Sequence, residues 1–324
     1  MGIFDEQISR RPNNYEFTDF YIRAMHQGFW TDAEFSFASD VQDFKINLNN
    51  SEKDIITKAL SAIGQIEIAV KTFWAKLGDN LPHPSIQDMG YVMANIETIH
   101  GMAYERLLIV LGLESIFEDN LKLECINGRV KYLKKYTHKF YKDSKKQYIY
   151  ALVLFTLFVE NVSLFSQFYI ILWFNRYQNV LKDSAQQVKY TSIEEDAHSK
   201  IGITLIKTIK EEYPELFDKE LEDRILHEAE EAFKAESKIV DWMLGDFNKD
   251  KLNGPLLKEF IKSRINNSLK DIGFKKIFDV DKKILKDTIW FDEMVSGDSM
   301  VDFFNSRPVD YSKSNQSFDP ENLF

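Results

Sequence analysis

Only one cysteine, Cys125, occurs in the 324 residues, so no disulfide framework and no thiolate metal site can be built, which fits a reducing cytosol. Proline (7) and glycine (13) are scarce as well. With so few breakers between long runs of Ala, Leu, Ile, Glu and Lys, the pattern is mainly α. Basic charge is not in excess: 41 Lys and Arg face 51 Asp and Glu, a net charge of −10. No Lys/Arg cluster offers the footprint that phosphate binding needs, so nucleic acid is not an expected partner. The opening residues, MGIFDEQISRRPNNYEF, lack the apolar core of a signal peptide, and a cytoplasmic protein is expected. Neither a repeat nor a linker divides the chain. One helical domain is expected over 1–295, followed at 296–324 by a stretch of Gly, Asp, Ser, Asn and Pro without periodicity, read as a mobile tail.

What is present is apolar: 44% hydrophobic and 14% aromatic residues are ample for a buried core. A capping box at Ser51 to Asp54 predicts a helix to about Leu77, and Pro84 predicts another to about Gly112. Further helices are predicted from Lys122 to Tyr141, from Ser144 to about Leu181, from Ser184 to Pro214, from Pro214 to Leu244, from Leu256 to Lys270 and from Lys282 to Ile289. Tyr148 to Phe174 is long enough to cross a bilayer, yet it carries Glu160 at its centre. A mid-bilayer carboxylate is costly, whereas a helix apolar all round also describes the centre of a large helical domain, so no membrane is expected.

Two of the six histidines follow a glutamate by three residues: Glu97-Thr-Ile-His100 and Glu195-Asp-Ala-His198. Residues three apart share a helix face, so each pair can present a carboxylate and an imidazole to one point. One such pair would be an unremarkable surface contact. Here both pairs are flanked by apolar residues on their own side, which places four polar side chains in or near the core, where charges need partners or metals. Glu67 and Glu160 sit singly on apolar faces of two further helices. A Glu from each of two helices plus a Glu-x-x-His from each of two others is the ligand set of ferritin-like dimetal carboxylate proteins. The fold expectation is therefore an all-α, ferritin-like helical bundle holding two metal ions among Glu67, Glu97, His100, Glu160, Glu195 and His198. Four carboxylates balance two divalent ions, and oxygen-rich donors suit iron or manganese better than zinc.

With these residues the chain resembles the class I ribonucleotide reductase small subunit over most of its length. Tyr104 falls where that family carries its radical tyrosine. Glu160-Asn-Val-Ser-Leu164-Phe-Ser-Gln-Phe168 resembles the helix around its third carboxylate, and Gly28-Phe-Trp30 stands where its relay tryptophan is expected. Asp302-Phe-Phe-Asn-Ser-Arg307-Pro-Val-Asp-Tyr311 and Ser317-Phe-Asp-Pro-Glu-Asn-Leu-Phe324 resemble its relay tyrosine and the peptide that docks on the large subunit. The resemblance implies a homodimer that passes an oxidising equivalent along Trp30, Glu194, His100 and Tyr311 to a catalytic cysteine in a separate large (alpha) subunit, where ribonucleotides become deoxyribonucleotides. Phe318, Leu323 and Phe324 would anchor the tail on that partner.

Two departures from the pattern matter. Glu67 replaces the usual Asp, and Glu194 replaces the aspartate that usually joins tryptophan and histidine. Lys71 lies one turn beyond Glu67 on the same face and is expected to reach a ligand carboxylate or the Tyr104 oxygen. A cation is a poor acceptor for the tyrosine proton, so the oxidant would stay on the metals. Glu67 with Lys71 resembles the dimanganese subclass Id, making manganese the first expectation and iron the second. Two rivals remain: a ferritin-type iron store, which has no need of a relay tryptophan or an aromatic-ended acidic tail, and a small-subunit-like ligand-binding oxidase, expected to lack the tail.

Overall fold

In the computed structural model, residues 2–296 are described, without the side chains of 68–71 and 296. The expectations for Lys71, Tyr311, Phe318, Leu323 and Phe324 therefore lie outside the described residues.

The chain is helical almost throughout. Its main helices are α1 (Phe17–Gln27), α2 (Asn50–Ala75), α3 (Pro84–Leu111), α4 (Glu124–Leu133), α5 (Ser144–Leu154), α6 (Phe165–Gln178), α7 (Lys182–Glu212), α8 (Lys219–Leu244) and α9 (Gly254–Asp271). The strands among the described residues are the two-residue pair Asn248–Lys249 and Leu252–Asn253, an antiparallel turn between α8 and α9. The all-α, ferritin-like helical fold expected from the sequence is the one observed. α2 and α3 form the most extensive helix pair, and α7 packs on the other side against α6 and the segment before it.

Helix ends follow local chemistry. α2 begins two residues before the predicted capping box, because Asn49 accepts from the Glu52 amide at 3.0 Å and Glu52 accepts from the Asn49 amide at 3.0 Å. α3 opens at Pro84 and closes at Gly112 with φ of 71°. α8 is capped by Asp218, so the predicted start at Pro214 is a separate 3-10 turn, Pro214–Leu216. The predicted helix from Lys122 to Tyr141 is shorter: α4 stops at Leu133 and a 3-10 turn, Lys134–Thr137, follows. α7 has a remote cap. Its N-cap residue, Leu181, cannot serve, and the buried Asp40 instead accepts from the amides of Asp183 (3.1 Å) and Ser184 (2.6 Å) and from the Ser184 hydroxyl (2.6 Å).

The apolar stretch is one 35-residue run, Ser144–Gln178, and 89% of its apolar window is buried inside the protein. It is a core helix. Its middle is not α: Phe155–Ser163, with Glu160 inside, is π-helical. Gly202 of α7 lies against this segment so closely that a Cβ there would collide with Thr156. Arg129 of α4, fully buried, binds the segment's far end. It donates to the Ser163 carbonyl, to Gln167 on α6 at 3.3 Å, to the Ala62 carbonyl of α2 at 3.0 Å and to Glu236 of α8 at 2.9 Å.

Candidate metal centre

Four helical runs each bring polar side chains to the middle of the core. Glu67 comes from α2, Glu97 and His100 from α3, Glu160 from the π segment, and Glu195 and His198 from α7. All six are buried, at most 1% exposed. Ligand atoms of Glu67, Glu97, His100 and Glu195 lie within 4.8 Å of one another, and so do those of Glu97, Glu160, Glu195 and His198. Glu97 and Glu195 belong to both groups. The cluster thus has two lobes joined by two shared carboxylates, with the imidazole centroids 6.4 Å apart.

The donor atoms face one another without satisfying one another. His100 Nδ1 lies 3.1 Å from Glu195, 3.5 Å from Glu97 and 3.6 Å from Glu67, and His198 Nδ1 lies 2.8 Å from Glu97, yet none of these contacts is aligned as a hydrogen bond. Both oxygens of Glu67, Glu97 and Glu195, His100 Nδ1 and both His198 ring nitrogens are buried without a hydrogen-bond partner. Leaving one buried polar atom unpaired costs about 1–3 kcal/mol, and these crowd around two points. Cations at those points would pair all of them except His198 Nε2, since only Nδ1 of that ring faces the carboxylates. The residues present fit two divalent ions with mixed oxygen and nitrogen donors.

Protonation reflects the same crowding. Burial pushes the Glu67 carboxyl up to about 7 against the pull of His100, and burial with the charges of Glu97 and Glu160 holds Glu195 well above the carboxylate range. Burial alone would depress both imidazoles. The carboxylates around them outweigh it and raise His100 well above, and His198 likewise above, the ordinary imidazole value. Glu97 is held low: the positive rings of His198 and His100 overcome its burial.

Of the other residues singled out from the sequence, Trp30, Glu194 and Tyr104 lie around this cluster. Trp30, 1% exposed, donates Nε1–H to Glu194 Oε2 at 2.8 Å, and the same oxygen lies 2.8 Å from His100 Nε2. The Trp30 and His100 rings stack with centroids 6.0 Å apart at 27°. Tyr104, also buried, donates to the Thr191 hydroxyl at 3.2 Å, and Thr191 donates onward to the Gln187 carbonyl at 3.0 Å. Burial, reinforced by Glu67, lifts the Tyr104 phenol far above its usual range. Two neighbours escaped the sequence reading. Trp74 donates Nε1–H to Glu160 Oε1 at 2.8 Å and lies 6.2 Å from the His198 ring. It follows Glu67 by seven residues, two helical turns on one face, which is the signal that would have found it. Thr191 likewise precedes Glu195 by four.

Comparison with known proteins agrees with this geometry. The family described as ribonucleotide reductase, small chain, matches residues 9–284. The ribonucleoside-diphosphate reductase subunit beta of Treponema pallidum (strain Nichols) is 21% identical over 94% of this chain and 88% of its own length. The ribonucleoside-diphosphate reductase small chain of Acanthamoeba polyphaga mimivirus is 24% identical over 97% of this chain and 73% of its own. Among solved structures, the ribonucleotide reductase R2 subunit from Clostridium botulinum superimposes with a TM-score of 0.72 at 20% identity, covering 87% of this chain and 89% of that one. An R2-like ligand-binding oxidase with a reconstituted Mn/Fe cofactor gives 0.69 at 18% identity, over 82% and 96%. With the match running through all four site-bearing helices, the chain belongs to the ribonucleotide reductase small chain family.

Proposed function

We propose that this chain is the radical-generating small subunit of a class I ribonucleoside-diphosphate reductase, active only with its large subunit. Glu67, Glu97, His100, Glu160, Glu195 and His198 hold two metal ions in this reading. The observation that carries it is the single oxygen, Glu194 Oε2, that meets both Trp30 Nε1 and His100 Nε2 at 2.8 Å. A metal-binding histidine commonly gives its second ring N–H to a carboxylate, which fixes the ring and the tautomer. Here Glu194 takes that role and leaves Nδ1 facing Glu67, Glu97 and Glu195. It also joins the ring to a buried indole. An iron store has no use for such a connection.

When bound, the ions supply a one-electron oxidant. The protein's own part is to orient the ligands and to provide an aromatic route out through His100, Glu194 and Trp30, completed by Tyr311 of the tail. The tail would dock on the large subunit through Phe318, Leu323 and Phe324, and the subunit would work as a cytoplasmic homodimer. Manganese is the preferred metal and iron the second. Supporting this choice, the Tyr104 hydroxyl is partnered by a neutral hydroxyl that is itself committed to a carbonyl, a weak acceptor for the phenol proton. Lys71 is proposed to add a positive charge nearby. Tyr104 then stays an unmodified phenol.

The R2-like ligand-binding oxidase among the structural neighbours keeps a second reading open, an oxidase acting on its own ligand. One experiment separates them. Native protein and Tyr104→Phe are loaded with manganese, their metal content and electron paramagnetic resonance are recorded, and ribonucleotide reduction is assayed with the large subunit, with a chain lacking 317–324 as the docking control. Two ions per chain and turnover surviving in Tyr104→Phe are expected. A tyrosyl signal lost together with turnover in that variant would overturn the manganese reading, and turnover independent of the large subunit would overturn the reductase reading.

A further inference from the structure

Glu67 is 1% exposed and neither of its carboxylate oxygens has a hydrogen-bond partner, yet it forms part of the wall of a cavity of about 500 Å³ between α2, α3 and the short helix Glu114–Asn120. The cavity's outer lining includes three exposed glutamates, Glu105, Glu114 and Glu118. Among the described residues none of the three is engaged in an ion pair. The gap exists partly because α3 presents Gly101 to it: a Cβ there would find its nearest atom, the Glu67 carbonyl oxygen, a full 4.0 Å away. By contrast, the second large cavity, lined by Gln65, Thr72, Tyr136 and Phe155 among others, has no carboxylate in its wall.

We propose that the acidic cavity is the passage by which divalent cations reach the metal centre. Glu105, Glu114 and Glu118 gather them at the mouth, and Glu67 receives them at the inner end. The inference rests on the dimetal reading of the site. Its chemistry is that of hard cations, which exchange water for carboxylate oxygen one ligand at a time and so travel best along a line of carboxylates. Like charges lining a cleft raise the local concentration of the opposite ion and can speed association by roughly 10- to 1000-fold at low salt. An anion would be repelled from the same mouth.

The test follows uptake of Mn²⁺ by the metal-free, full-length protein in a rapid-mixing experiment, read from the loss of the free-ion paramagnetic signal, with bound metal counted after long incubation. Gly101→Leu fills the space on a helix that tolerates leucine better than glycine. It is expected to slow uptake about tenfold or more while the final stoichiometry matches the native protein. The triple variant Glu105→Gln, Glu114→Gln, Glu118→Gln changes only exposed side chains. It is expected to slow uptake several-fold and to flatten its dependence on ionic strength, since screened surface charges are what salt removes. Native uptake rates in both variants would overturn the passage while leaving the metal centre intact. A native protein that binds neither manganese nor ferrous iron would overturn the dimetal reading itself, and the passage with it.

Discussion

Replacing Arg129 by methionine isolates the interaction that ties the π segment to the rest of the core. The guanidinium is fully buried and makes contacts to four elements: the carbonyls of Ala62 and Ser163, Gln167, and the carboxylate of Glu236. Methionine fills a similar volume, so cavity formation is minor and the cost comes from the groups left behind. Glu236, 0% exposed with its second oxygen already unpartnered, would become a lone buried charge. Breaking a buried pair in this way costs about 3–5 kcal/mol. At about 2.1 cal/mol/K per residue of unfolding entropy, a chain of roughly 300 residues loses about 1.6 °C per kcal/mol, so the melting point of the metal-free protein should fall by roughly 5–8 °C. Removing the second charge as well, in Arg129→Met with Glu236→Met, should recover much of that loss, because two apolar groups of like shape replace the pair. The pH dependence gives an independent check. Burial already raises the Glu236 carboxyl, and without Arg129 it rises further. A raised folded-state value means that stability is fully present below the unfolded value and is lost as pH climbs through the folded one. The deficit of Arg129→Met should therefore shrink between about pH 8 and about pH 5.5. Denaturant midpoints of the three proteins at both pH values measure this. A single-variant loss below about 1 kcal/mol, or a double variant no more stable than Arg129→Met, would refute the reasoning.

Metal binding should expel protons, because His100, His198, Glu67 and Glu195 are all held above their ordinary values without ions and must bind metal deprotonated. Apparent affinity should rise with pH between about 6 and 8.5, and titration calorimetry in buffers of different ionisation enthalpy should show net release; no release would contradict it. Glu194→Gln should keep metal content but cut ribonucleotide reduction about 100-fold or more, since an amide oxygen can still accept from the Trp30 and His100 N–H groups but cannot take up the proton between it and His100. Near-native turnover would remove Glu194 from the route.

Much of the site was legible because its signals are local. Each Glu-x-x-His pair is one turn of one helix, and a carboxylate stranded on an apolar face, as at Glu67 or Glu160, is visible in any short window. The helices that carry them were legible for the same reason. Tertiary choices were not. Asp40 caps a helix that starts more than a hundred residues later, and Arg129 pairs with Glu236 across a similar distance; neither spacing carries a pattern. The π segment is of the same kind. Phe155–Ser163 has the composition of an ordinary apolar helix, and its wider winding accompanies tertiary contacts with Gly202 on one side and Arg129 at its end. Such segments recur at functional sites, and here the side chain inside the segment is Glu160.

The two poles of the cluster are consequently unlike. On the His100 side the indole stacks on the imidazole but is hydrogen-bonded to it only through an intervening carboxylate, Glu194. On the His198 side Trp74 hydrogen-bonds Glu160 itself and engages Oε1, which leaves Oε2, 3.8 Å from His198, to complete the cluster. Glu67, Glu97 and Glu195 keep both oxygens unpartnered and can change their mode of binding; Glu160 has one oxygen committed. An indole N–H can donate but cannot accept a proton. Trp74 therefore steadies the charge of Glu160 without offering it a base, whereas Glu194 can hold or take the proton that lies between it and His100. The protein thus pairs a fixed carboxylate at one pole, whose indole leads on to Phe73, Phe155 and Tyr136, with a proton-bearing bridge to Trp30 at the other.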